Sequence, residues 1–300
     1  MERSPYTAEA VPRDNSRRSE GIGQCPGNGA HARDLLASVL EHELVPRLMT
    51  ARRTTVPHST VPRPSGLANL ALASVRPSVD EAQVQGLVDI SLTGEAKSVR
   101  AFILNLRDQG VPVDALYLDL ITPAARRIGA MWEADTCDFV LVTLALLRIQ
   151  QVMYDLSPEF IGAGCEPSSR RALVLPTPGS HHTLGAAMVA DFFRRGGWDV
   201  ISSHELQPAE VLRAVRQDWF DVVALSMSAP NHVASTGALI SDIRKLSSNK
   251  GILVMVGGPL ALSVPELATR VGADVVTLDA RQALEVAGRA VPVRRMAVAN

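Results

Sequence analysis

The spacing of apolar residues changes its period once along the chain. From Val79 to Ser157 the period is helical: Val84, Leu87 and Val88 fall on one face, and Val99, Phe102, Ile103 and Leu106 on another until Gly110 ends the run. Pro112 opens a third piece in which Ile121, Ala124, Ile128 and Met131 or Trp132 line up, with Pro123 expected to bend its start. A turn over Asp135 to Asp138 leads into a fourth piece, whose stripe of Phe139, Val142, Leu146, Ile149 and Met153 stops at Pro158. Helical pieces joined by tight turns predict an antiparallel four-helix bundle over 79–160.

Beyond a Gly- and Ser-containing linker at 159–170 the apolar runs shorten to strand length. Ala172 to Leu175, Asp199 to Ser202, Val222 to Ser226, Ile252 to Val256 and Val275 to Leu278 are such runs. They alternate with helical stretches at Leu184 to Arg195, Pro208 to Gln217, Ala234 to Leu246 and Val264 to Arg270, and Ala280 to Arg289 closes the series. Strict alternation predicts parallel strands with helices on both faces. The expected fold class is therefore α/β, a flavodoxin- or Rossmann-like doubly wound parallel sheet of five strands over 171–292, preceded by a four-helix-bundle cap.

The amino-terminal part follows neither pattern. Residues 1–30 mix Pro, Ser, Gly, Arg and Glu without apolar periodicity, the composition of a disordered tail. Residues 31–78 are expected to form a helical arm and linker: Leu35, Leu36, Val39, Leu40, Val45, Leu48 and Met49 make a stripe interrupted by Pro46, and a Pro-, Ser- and Thr-rich stretch follows.

Composition narrows the function classes. Apolar residues make up 46% and charged residues 20%, and no uninterrupted apolar run approaches the roughly 18 residues of a membrane span. Met1 to Pro5 lacks the apolar core of an export signal, and Cys25, Cys137 and Cys165 form no Cys-x-x-Cys pair, so a cytoplasmic protein with free thiols and no membrane association is expected. A net charge of -1 gives no overall drive toward nucleic acid. Residues 81–160 hold eleven Asp or Glu against six Lys or Arg, a surface that suits a basic protein partner or is merely solvated.

Candidate chemistry concentrates in Val174-Leu175-Pro176-Thr177-Pro178-Gly179-Ser180-His181-His182-Thr183-Leu184-Gly185. A buried strand runs there into a loop with adjacent histidines, and the carboxyl end of a parallel strand is where open α/β sheets bind ligands. The spacing is that of a metal or cofactor ligand, and equally of a surface histidine in an ordinary βα loop. Ser226-Met227-Ser228 and Gly257-Gly258-Pro259 follow the third and fourth strands. Small residues at neighbouring strand ends open a slot in which serines can hydrogen-bond a heterocycle, although two turn glycines look the same in sequence. The chain has no G-x-x-x-x-G-K-S/T loop, no G-x-G-x-x-G after the first strand, no G-x-S-x-G elbow and no H-E-x-x-H, which removes support for the corresponding nucleotide, hydrolase and protease chemistries.

Taken together and in this order, His182-x-x-Gly185, Ser226-x-Ser228, Gly257-Gly258 and Gly272-Ala273-Asp274-Val275-Val276 resemble the cobalamin-binding domain family. The resemblance implies a base-off, His-on cobalamin, adenosylcobalamin or hydroxocobalamin (aquocobalamin), with His182 as lower axial cobalt ligand. It also implies that Ser180, Thr183 and Gly185 line the cofactor beside that ligand and that Ser226, Ser228, Gly257 and Gly258 surround the nucleotide tail. Ile128-Gly129-Ala130-Met131-Trp132-Glu133 is similar to the family's I-G-x-x-W cap segment, which implies Trp132 above the cobalt; a core anchor of the bundle would have the same spacing.

The departures shape the functional expectation. Ser180 stands where the family usually has an acidic residue two before the histidine, and a hydroxyl only weakly raises a ligand's basicity or relays protons. In CarH-type light-sensing repressors a Glu-His pair follows the cap tryptophan, where this chain has Val142-Thr143, and the helix-turn-helix of those proteins finds no counterpart in 1–78. Within the family, Leu40-Glu41-His42-Glu43-Leu44-Val45-Pro46-Arg47-Leu48, and Cys137-Asp138-Phe139 through Val142-Thr143 to Arg148-Ile149-Gln150, are similar to the PpaA/AerR-type antirepressors of photosynthetic bacteria. That resemblance implies a non-catalytic, light- or redox-responsive regulator of transcription that binds a repressor protein of the PpsR/CrtJ type rather than DNA. The alternatives are a corrinoid carrier of a methyltransferase system and a cobalamin storage or delivery protein.

Overall fold

The computed structural model describes residues 78–203 and 206–292. The tail at 1–30, and the arm with its Leu40 to Leu48 helix, lie outside the described residues apart from Ser78.

Asp80 starts the described part with a reciprocal cap: its carboxylate accepts from the Gln83 backbone N–H, and the Gln83 side chain accepts from its own. Helix α1 (Glu81–Thr93) follows, then α2 (Ala96–Asp108). The third piece is one rod in three parts: α3 (Val113–Ala115), a π-helical segment (Leu116–Ile121) and α4 (Thr122–Glu133). The expected bend at Pro123 is met by this wider turn. A proline lacks the N–H that an α-helix needs there, and the Thr122 N–H reaches back five residues to the Tyr117 carbonyl.

Helix α5 (Phe139–Gly162) corrects another boundary, because it continues past Pro158 instead of stopping there. The extra turn buries Phe160 against Tyr117 and Phe192, with ring centroids 4.8 and 4.9 Å apart. By length and apolar composition α5 could cross a membrane, yet its Val142, Ala145, Ile149, Val152, Met153, Leu156 and Phe160 are all buried in the bundle.

The strands are β1 (Arg171–Pro176), β2 (Asp199–Ser202), β3 (Val222–Ser226), β4 (Leu253–Gly257) and β5 (Val275–Val276). They form one parallel sheet in the order β2-β1-β3-β4-β5. This is the doubly wound flavodoxin-like order, in which the direction of strand addition reverses between β1 and β3 and leaves a crevice at their carboxyl ends. Helices α6 (Leu184–Arg195), α7 (Pro208–Gln217), α8 (Val233–Leu246) and α11 (Ala280–Ala290) flank the sheet. The helix expected over Val264 to Arg270 is the shorter α10 (Leu267–Val271), preceded by a separate turn, α9 (Leu260–Ser263), and β5 is shorter than expected.

Sheet and bundle share a core. Ala187, Met188 and Phe192 of α6 belong to the same buried cluster as Leu116, Tyr117, Ile149 and Phe160, while the opposite side of α6 places Ala190 and Phe193 against the sheet. An apolar helix covered on both sides fixes the bundle next to the carboxyl end of β1.

Candidate functional site

Strand register brings the small residues level. Pro176 pairs with Ser226 and Ser226 with Gly257, so the ends of β1, β3 and β4 form one rim. Leaving β1, the chain turns through Thr177-Pro178-Gly179-Ser180, with the Ser180 N–H donating to the Thr177 carbonyl at 2.9 Å and Gly179 at φ +83. Proline second and a positive-φ glycine third is the composition that a type II turn requires. The turn is tied to β3, because the Thr177 N–H and hydroxyl both donate to the Ser226 carbonyl, at 2.9 and 3.1 Å.

Ser180 is buried, and its hydroxyl lies 3.1 Å from that of Ser228 and accepts from the His182 N–H at 3.2 Å. The loops after β1 and β3 are thus cross-linked immediately below His182. His182 remains exposed at the cleft surface, yet its pKa is lowered, chiefly by desolvation and then by the neighbouring charges of His181 and His232, with Glu133 opposing. A lowered value keeps the imidazole neutral, the form that donates a lone pair to a metal.

Glu133 ends α4, so its influence on His182 places the bundle across the cleft from this loop. A direct contact confirms the approach: Gln150 of α5 donates to the Thr183 hydroxyl at 3.0 Å and to the Tyr154 hydroxyl at 2.9 Å. Phe139, Leu147, Gln150 and Tyr154 fall on one face of α5 at helical spacing. Phe139, Leu147 and Tyr154 are all exposed, and Trp132 packs against Phe139 with centroids 6.1 Å apart while remaining 47% exposed. Trp132 is therefore no core anchor. Trp132, Phe139, Leu147 and Tyr154 thus leave an apolar surface exposed on the side of the bundle where Gln150 meets Thr183.

On the other side of His182 lies the slot. A Cβ added at Gly185 would stand 3.0 Å from the Ser226 hydroxyl, and one at Gly258 would stand equally close to it. The Ser226 hydroxyl makes no hydrogen bond among the described residues and lies between these two bare backbones. Gly257 has a second constraint, since its Cβ would come within 2.8 Å of the Thr277 carbonyl of the neighbouring loop. Ser180, His182, Thr183, Gly185, Ser226, Ser228, Gly257 and Gly258 are thus brought together at one rim, with Trp132 on the bundle opposite. Gln150 and His232 join this group without having been singled out as site residues from sequence.

A family model described as the B12 binding domain matches residues 170–287. An uncharacterized 20.5 kDa protein of Rhodobacter capsulatus from the bchF-crtJ intergenic region is 31% identical over 171 residues, 56% of this chain and 88% of that relative. The chain belongs to the B12-binding domain family. Among solved structures, the monomethylamine corrinoid protein of Methanosarcina barkeri shares the fold, with a TM-score of 0.62 at 14% identity over 71% of this chain and 100% of that one. As a B12-binding domain, the rim fits its cofactor: a neutral imidazole stands at the cleft, a slot that a Cβ at Gly185 would narrow lies beside it, and an apolar aromatic face lies opposite. The protein is a cobalamin-binding protein.

Proposed function

We propose that this protein is a non-catalytic, light- or redox-responsive regulator that ligates the cobalt of base-off cobalamin through His182 and signals to a transcriptional repressor of the PpsR/CrtJ type. The observation that carries the reading is the facing arrangement of His182 and the exposed Trp132, Phe139, Leu147 and Tyr154 surface, joined at one edge by Gln150 and Thr183. When bound, cobalamin would supply a light- or redox-sensitive upper cobalt ligand. The protein's part is to hold the lower face, take the nucleotide tail beside Gly185 and Ser226, and present an apolar surface whose fit depends on that upper ligand. Only differential contact of this kind moves a conformational equilibrium and hence affinity for a repressor.

Ser180 favours regulation over methyl transfer, because its hydroxyl is paired with Ser228 and carries no charge to support proton relay. The acidic bundle of 81–160 suits a basic protein surface, and the Rhodobacter capsulatus relative carries crtJ in its name. In the same reading the protein works in the cytoplasm, with 79–160 as cap and 171–292 as cofactor domain.

Titration with hydroxocobalamin and with adenosylcobalamin, in the dark and after illumination, tests the proposal. A His-ligated absorption spectrum that changes with light supports it, whereas binding of both forms without any response to light or reductant leaves carriage or storage and overturns regulation. His182→Ala is expected to weaken hydroxocobalamin binding by about 100-fold or more, since loss of an outer partner alone commonly costs tenfold or more; unchanged affinity and spectrum would refute the ligand assignment. Gly185→Val is expected to block binding while the melting temperature of the cofactor-free protein moves little, because the Cβ at this position meets only a rotatable hydroxyl. Parallel loss of both would show that the glycine serves the fold rather than the slot.

A further inference from the structure

The loop after β3 carries a histidine with unused hydrogen-bonding capacity. Its final residues form a 3-10 turn, Pro230–His232, closed by the His232 N–H donating to the Ala229 carbonyl at 3.2 Å, and His232 then caps α8. The Nδ1 atom of His232 is shielded from water and has no hydrogen-bond partner. A buried polar atom without a partner costs stability, so its persistence calls for a group that completes it.

The neighbourhood identifies that group. Ser180 and Ser228 lock the loops of β1 and β3 side by side, with His182 two residues after one serine and His232 four after the other. The charge of His232 is felt at the His182 ring, so the imidazoles lie within electrostatic reach. A metal-bound imidazole carries an N–H on its second nitrogen, and an acceptor for that N–H fixes the ring's orientation and raises its basicity. The Ser180 hydroxyl already serves Ser228 and the His182 backbone and brings no negative charge.

Resting on the assignment of His182 as cobalt ligand, we propose that His232 is its positioning partner, the shielded Nδ1 accepting the N–H of the ring nitrogen that does not bind cobalt. His232 thereby takes the place of a carboxylate as the acceptor beside the ligand.

The test is a double-mutant cycle in the full chain with His182→Ala, His232→Leu and the double variant, read by hydroxocobalamin dissociation constants. Electron paramagnetic resonance of the reduced, Co(II) forms reports the nitrogen splitting of the ligated imidazole. His232→Leu is expected to weaken binding about tenfold with His182 present. In the His182→Ala background it changes binding less than about twofold, as coupled contacts require. His232→Gln, which retains an acceptor, recovers part of the loss and controls for folding, with apo melting temperature unchanged. Equal weakening in both backgrounds, or no weakening in either, overturns the proposal while leaving His182 as ligand. A His182→Ala protein that keeps its affinity and nitrogen splitting overturns the ligand assignment and this proposal with it.

Discussion

Gly258→Ala is expected to destabilise the cofactor-free protein by about 3 kcal/mol, from a positive-φ penalty of about 1–2 kcal/mol and an overpacking cost of similar size. Gly258 stands at φ +92, and a Cβ there would lie 2.5 Å from the carbonyl oxygen and 2.9 Å from the nitrogen of Met227. Neither atom can retreat freely. The Met227 N–H donates to the Gly257 carbonyl at 2.8 Å, and the Met227 carbonyl accepts from Leu260 at 3.1 Å. Relief of the clash must therefore open the junction of β3, β4 and α9 at the rim that frames the slot. Urea unfolding measures the loss, and a melt indistinguishable from the parent protein would show that the rim yields without cost. The contrast with Gly185→Val separates a glycine that backbone packing demands from one whose bare face borders the slot.

That contrast also marks what the amino-acid pattern could carry. Alternating strand and helix periods made the parallel sheet legible, because periodicity is a local property. The strand order was not legible, since pairing between β1 and β3 joins residues about fifty positions apart. The loop chemistry around His182 was legible because turn residues and ligand lie within one short stretch. The exposure of Trp132 was not, because positions three and four apart can face either core or cleft until neighbouring helices are placed. Gln150 lay inside a recognised segment without its partner Thr183 being visible. His232 gave no signal, as an isolated histidine before a helix looks the same whether it is solvated or shielded. Pro158 misled for a physical reason: burial of Phe160 carried the helix beyond a residue that ordinarily ends one.

The bundle's attachment to α6 was equally hidden in sequence, and Asp191→Ala is expected to weaken it by about 1–3 kcal/mol, the usual loss when the partners of a buried polar group are left without it. The Asp191 side chain is only 6% exposed; it accepts from Arg194 at 3.2 Å and from the Tyr117 hydroxyl at 3.2 Å. Tyr117 also reaches the Met153 carbonyl at 3.0 Å, and Arg194 donates to Ser202 of β2 at 2.7 Å. One carboxylate thus links the π-helical segment and, through Tyr117, α5 to the edge of the sheet. Burial, with the Asp191 charge behind it, raises the Tyr117 pKa and keeps it a proton donor. Burial likewise raises the Asp191 pKa above its ordinary value, against the lowering effects of Ser157, Arg194 and Tyr117. A carboxyl raised on folding contributes stability that is full below its unfolded pKa and is lost as pH rises through the folded one. Wild type should therefore gain stability relative to Asp191→Asn as pH falls from neutral toward about 4, opposite to the trend of an ion-paired surface carboxylate. Urea melts of both proteins across that range measure the difference, and a flat or reversed trend would show that Arg194 and Tyr117 outweigh desolvation.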